Sequence, residues 1–153
     1  SDYLCSICYV VDSDGIVYIT DVVYTQEPME ISEKLVAAML TKSDCRIAYI
    51  ESNNGGRGFA RALQRQVPKT KIEWFHQSGN KEARIFSNSA TALHTLRMPK
   101  DWHLRWPEFY AHLTTFKRLF KANVHDDAAD AITGIVEREV SGGERKLQRI
   151  KFI

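Results

Sequence analysis

Apolar and polar positions divide the chain into short, well-separated elements. Tyr3 to Val11 is an almost unbroken apolar run, Asp12-Ser13-Asp14-Gly15 is a turn signal, and Ile16 to Tyr24 is a second run. That order predicts two strands joined as a hairpin, in a sheet covered on at least one face. Pro28 precedes a predicted helix from Met29 to Leu40, with Ile31, Leu35, Ala38 and Met39 as its buried stripe. Cys45 to Ile50 predicts a short apolar strand, central in a sheet, that ends at Glu51. The turn-rich Ser52-Asn53-Asn54-Gly55-Gly56-Arg57-Gly58 then leads into a helix over Phe59 to Gln66.

Lys71 to Phe75 predicts another buried strand, and Ser78-Gly79-Asn80 introduces a helix over Lys81 to Leu93. Ile85, Ser89, Leu93 and Leu96 share one side of it. Residues 95–106, with Arg97, Met98, Trp102 and Leu104, predict a short hairpin. Trp106, Phe109, Leu113, Phe116 and Phe120 have helical spacing and read as a core stripe. The last helix is expected from Asp126 to Val140, anchored by Ala128, Ile132, Ile135 and Val136. Ala131 and Gly134 lie on its acidic face, where another backbone would have room to approach. Ser141-Gly142-Gly143 ends it, and the basic tail from Glu144 to Ile153 has strand character. The pattern is α/β, a mixed sheet flanked by helices. It divides into a domain over residues 1–140 and a basic C-terminal tail over 141–153.

Composition narrows the classes. With 153 residues, 44% hydrophobic and 26% charged, the chain suits one globular domain and not a disordered or fibrous one. No apolar run reaches the ~20 residues of a membrane span, and no signal-peptide pattern opens the chain. Cys5 and Cys8 have CxxC spacing, but no second pair completes a zinc site, so they read as buried thiols in a reducing cytoplasm. The net charge of +2 hides an asymmetry. Residues 1–51 hold nine acidic and three basic residues, whereas residues 57–84 hold seven basic residues against Glu73 and Glu82. An acidic centre beside an anion-binding surface has that layout, although an ordinary solvated surface has it too.

Chemistry concentrates at two places. His125-Asp126-Asp127-Ala128-Ala129-Asp130-Ala131 opens the last helix, where carboxylates favour the positive end of the dipole on structural grounds alone. Asp127 and Asp130 are three apart on one helical face, so their repulsion calls for a cation or a base between them. Glu51 closes a buried strand, where a carboxylate is expected to be poorly solvated and to need a partner. If the Asp127/Asp130 face packs beside that strand end, the carboxylates form a hard-oxygen pocket for Mg²⁺ or Mn²⁺. Such ions activate a water and stabilise a leaving oxygen in phosphodiester cleavage. Arg57, Arg61 and Arg65 make a basic stripe suited to a phosphate backbone. The glycine loop after Glu51 lacks the Gly-Lys-Ser/Thr of a P-loop, so no nucleotide motor is visible. Each carboxylate alone also reads as an ordinary surface or cap residue.

Glu51-Ser52-Asn53-Asn54-Gly55-Gly56 followed by His125-Asp126-Asp127-Ala128-Ala129-Asp130-Ala131 resembles the nuclease domain of tailed-phage terminase large subunits. Asp2-Tyr3 opening a strand, and Lys81 and Arg84 after a Ser-Gly-Asn turn, share the likeness, which spans roughly residues 1–137. The resemblance implies a ribonuclease-H-like fold and a two-metal endonuclease that cuts concatemeric double-stranded viral DNA during packaging, in a bacterial host cytoplasm. It implies Glu51, Asp127 and Asp130 as catalytic metal ligands for Mg²⁺ or Mn²⁺, with Asp126 a cap. It also implies DNA contacts from Arg57, Arg61, Lys81 and Arg84. His125 would orient a carboxylate, touch phosphate, or simply lie on the surface. An upstream ATPase motor in the same polypeptide, a small terminase subunit and a portal or procapsid are the implied partners, with no membrane. The family's first aspartate lies on a strand before the one that Asp2 opens. This chain is therefore expected to lack that first strand, with Lys146 to Ile153 a conceivable filler and the fragment a possible inactive one by itself. Two alternatives stand beside this reading. One is a resolvase- or transposase-type nuclease, and the other a non-catalytic DNA- or capsid-docking module on the same fold.

Overall fold

The computed structural model describes residues 2–53, 55–116, 123 and 125–140. Its elements are β1 (Leu4–Val11), β2 (Val17–Thr25), α1 (Met29–Lys42), β3 (Ile47–Glu51), α2 (Gly56–Gln66) and β4 (Lys71–Phe75), then α3 (Lys81–Thr95), β5 (Leu96–Arg97), α4 (Trp102–Arg105), α5 (Pro107–Thr114) and α6 (Asp127–Glu139). The architecture is mixed α/β. β1, β2 and β5 form one sheet in that order, with β5 parallel to β2, and β3 and β4 form a second, parallel pair. The turn between β1 and β2 is closed by Asp12, whose carboxylate accepts from the Asp14 and Ile16 amides and from the Tyr18 hydroxyl. These bonds, the Ile16 amide first, hold the Asp12 carboxyl below its usual range.

Two compact units emerge. The first comprises the described parts of Ser1–Cys8 and Asp21–Gly79, and the second those of Tyr9–Thr20 and Asn80–Ile153. In the first, α1 and α2 bury Val36, Ala37, Met39, Leu40, Phe59, Leu63 and Val67 together with Cys8. Ala48, Ile50 and Ile72 from β3 and β4 pack against that cluster. The buried stripe of α1 is turned from the one its sequence predicts. Ile31 and Leu35 remain exposed, while Ser32 and Val36 are buried, Ser32 donating to the Met29 carbonyl. A donor that can bond its own helix is cheap to bury, so the helix presents the Ser32–Val36–Leu40 row to the core. β4 is likewise no fully buried strand, because Trp74 is half-exposed. β3 is paired with β4 alone among the described residues, so it is not central as expected.

In the second unit, α6 packs on both α3 and α5. It buries Ala128, Ala129, Ile132, Thr133, Ile135 and Val136, as its periodicity requires. Phe109 is fully buried and meets Trp102 and Trp106 edge-on, with centroids 6.1 and 6.3 Å away. Trp106 and Phe109 are thus core, as expected, but α5 stops at Thr114, short of Phe116, and Phe120 lies outside the described residues. Residues 95–106 are not a hairpin. Leu96 and Arg97 add a short parallel strand beside β2, and the chain then turns into α4. α3 departs from its predicted stripe as well. Leu93 is largely exposed and Ser89 exposed, and Ile85 is its one buried residue. The expected tail strand over Glu144 to Ile153 lies outside the described residues.

Candidate functional site

The first unit carries Glu51. β3 alternates, with Ala48 and Ile50 turned to the core, so Ile47, Tyr49 and Glu51 point the other way and are exposed. Glu51 is therefore well solvated, against expectation, because a five-residue strand buries only one of its faces. The loop after it is tightly built. The Ser52 amide and hydroxyl both bond the Phe75 carbonyl, and the Asn53 amide group donates to the Gln77 carbonyl. Gly55 adopts φ 87° as the N-cap of α2, a conformation that suits glycine. Gly56 is required for space: a Cβ there would lie 1.7 Å from the Glu51 carbonyl oxygen. The Gly55-Gly56 pair thus lets α2 start directly against the end of β3 and fixes the backbone that carries Glu51. Asn53 Oδ1 is buried and has no hydrogen-bond partner among the described residues.

The second unit gathers the other acidic residues. Asp126 is the N-cap of α6 by position, but its side chain makes no cap bond. It faces Lys81 instead, with Lys81 Nζ 3.5 Å from Asp126 Oδ1 and 3.7 Å from Asp130 Oδ2. Arg84 reaches across from α3 and forks over two carboxylates. Its Nη1 donates to Asp130 Oδ1 at 3.1 Å, and its Nη2 and Nε donate to Glu137 Oε1 at 2.6 and 3.1 Å. Burial opposes the charge on both cations, but the carboxylates outweigh it. Asp130, Asp126 and Asp127 hold the Lys81 pKa up, and Glu137 and Asp130 do the same for Arg84. Asp127, half-buried in the first turn of α6, belongs to this field. On its other side His125 stacks on His112 with ring centroids 4.9 Å apart, and burial together with that neighbour pushes the His112 pKa down. Among the described residues nothing comes within 4 Å of a Cβ placed at Gly134, so the close backbone approach expected there is not seen among them.

The structure therefore brings Asp126, Asp127 and Asp130 together with Lys81 and Arg84 in one unit, while Glu51, Arg57 and Arg61 lie in the other. Among the described residues, no group of three or more His, Cys, Asp or Glu side chains stands ready as a metal site. The donor chemistry nonetheless suits a hard divalent ion. Asp126 and Asp130 already cradle a cation, the Lys81 ammonium, through carboxylate oxygens. Glu137 was not singled out from the sequence, although it lies two helical turns beyond Asp130 on the same face. Trp74, hidden in an apolar strand, was also missed; the Arg57 and Arg61 guanidinium carbons lie 5.4 and 5.9 Å from its ring centroid.

A hairpin-led sheet, a parallel strand pair and flanking helices make a mixed α/β architecture consistent with a ribonuclease-H-like fold. Residues 4–98 match the profile of the bacteriophage T7 terminase ribonuclease-H-like domain family, and the chain belongs to that family. The match covers the Glu51 loop, Arg57, Arg61, Lys81 and Arg84 and ends before α6. No curated protein matches the sequence. Ribonuclease-H-like nuclease domains generally use divalent metals. No described helix is long and apolar enough to cross a membrane.

Proposed function

We propose that this chain is the nuclease module of a phage terminase large subunit, a metal-dependent endonuclease that cuts concatemeric double-stranded DNA during genome packaging in a bacterial cytoplasm. The observation that carries the reading is family membership over the stretch that holds Glu51 on its glycine-built loop. In this reading Glu51, Asp127 and Asp130 are the carboxylates that would hold Mg²⁺ or Mn²⁺. The metal, when bound, supplies an activated water and stabilises the charge that develops at the cleaved phosphodiester. The remaining work falls to the chain's own residues. Arg84 fixes the Asp130 rotamer through its fork, and Glu137 fixes Arg84 in turn. Lys81 neutralises Asp126 and Asp130 and would turn to a phosphate once a cation takes its place. Arg57 and Arg61 neutralise backbone phosphates. The motor domain, small subunit and portal are the partners this role requires.

Incubation with supercoiled plasmid and Mn²⁺ tests the proposal. Nicking that requires Mn²⁺ and disappears in Glu51→Ala and Asp127→Ala supports it. Salt-sensitive DNA binding with no cleavage by the native full-length polypeptide that carries this domain supports a docking module instead.

A further inference from the structure

Trp74, which has no part in the cleavage reading, lies beside the start of α2 and its Arg57 and Arg61. Ile72 packs against the buried cluster under α1 and α2, and Trp74, two residues along the same strand, faces the same side. Its ring extends past the core to the first turns of α2. There Arg57 and Arg61, one helical turn apart, hold guanidinium groups 5.4 and 5.9 Å from the indole centroid. Trp74 is 47% exposed, so part of its surface stays open beside the two cations. Neither Arg57 nor Arg61 is ion-paired to a carboxylate among the described residues, in contrast to Lys81 and Arg84.

An open aromatic surface flanked by two cations that have no carboxylate partner among the described residues matches a nucleotide, which has a π-face and a phosphate within one residue of the chain. In an intact duplex the base faces are covered by their neighbours, and the indole would meet only sugar and phosphate. An unpaired nucleotide offers both parts at once. We infer that Trp74, Arg57 and Arg61 form a stacking platform for single-stranded or frayed DNA. Trp74 takes the base, and the two arginines take the adjoining phosphates while holding the ring in place. The choice of DNA over an acidic peptide rests on the nuclease reading.

The test is fluorescence anisotropy of the whole chain with a labelled oligothymidylate of about a dozen nucleotides and with a blunt-ended hairpin duplex. Trp74→Ala is expected to weaken the single strand about 10-fold or more and the blunt duplex far less, while Trp74→Phe keeps most of the affinity. Because truncating Trp74 also opens the end of a core, the exposed pair Arg57→Gln/Arg61→Gln supplies an independent reading. It should lower the salt slope on single strands by about 1.4, from two phosphate contacts at ~0.7 each. Equal losses on both substrates, an unchanged single-strand affinity in Trp74→Ala, or competition by polyglutamate as strong as by unlabelled oligothymidylate overturns the platform. Trp74-dependent binding by this chain, with no Mn²⁺-dependent cleavage by the native full-length polypeptide that carries it, sinks the nuclease reading and leaves the platform standing. Cleavage with Trp74-independent binding does the reverse.

Discussion

Arg84→Met removes the guanidinium that ties α3 to α6 and leaves Asp130 and Glu137 on one helix face without their shared cation. The Arg84 side chain is 13% exposed, against 20% for Asp130 and 35% for Glu137, so the fork is largely shielded, most of all at its Asp130 end. Charge-assisted hydrogen bonds contribute about 1.5–3 kcal/mol each when shielded, and exposed ion pairs about 0–1 kcal/mol. Asp130 keeps Lys81 at 3.7 Å as partial compensation, and Glu137 regains water. The loss should therefore be about 2–3 kcal/mol, less than the ~3–5 kcal/mol of breaking a fully buried pair. For a domain of this size that lowers Tm by roughly 5–10 °C. Chemical denaturation of the wild type, Arg84→Met, Glu137→Gln and the double variant closes a cycle. It should return a coupling of about 1–2 kcal/mol. Arg84→Lys should recover only part of it, because an ammonium cannot fork over two carboxylates. A loss in Arg84→Met below about 0.5 kcal/mol, or a coupling of zero, would refute the assignment of Arg84 as the tie.

Other predictions follow from single contacts. Gly56→Ala should cost on the order of 3 kcal/mol or unfold the loop, and hydrogen exchange should rise at Glu51 and Ser52. Gly58→Ala, where a Cβ meets nothing, should be neutral or stabilise α2 by about 0.5–1 kcal/mol; equal melting losses for the two variants would contradict the packing argument. Phe109→Ala should cost about 3–5 kcal/mol in a denaturant titration, because the ring is fully buried. Asp12 has a folded pKa held below its ordinary 3.8, so its stabilising effect is present above 3.8 and is lost as pH falls through the folded value. Asp12→Asn should thus melt below the wild type at neutral pH, with the gap closing in strong acid; a gap that stays constant with pH would exclude the linkage. Removing divalent metal with EDTA should stop plasmid cleavage and added Mn²⁺ should restore it.

The hairpin, α1, the two short parallel strands and α6 were legible because apolar runs, turn residues and periodicity agree there. Ser32 shows where that reading falters. A serine able to bond its own helix backbone replaced the more apolar Ile31 and Leu35 on the core side, a choice that depends on neighbours from other elements. Trp74 and Leu93 read as core by type, yet both are exposed. Leu96 and Arg97 form a strand only because β2 offers an edge beside them, which no local signal reports. At the candidate site, residue types were legible and pairings were not. Asp126 has the position of a cap but serves Lys81, and Arg84 spans α3 and α6, a distance in sequence that periodicity within one helix cannot reveal.

Plasmid cleavage by the native full-length polypeptide that carries this domain tests the central claim most directly. With Mn²⁺ present, the account predicts nicking that falls at least about 10³-fold in Glu51→Ala and in Asp127→Ala, with the double variant little worse than either, as for residues that act as a unit. Wild-type rates in both variants, or cleavage that persists without divalent metal, would contradict it.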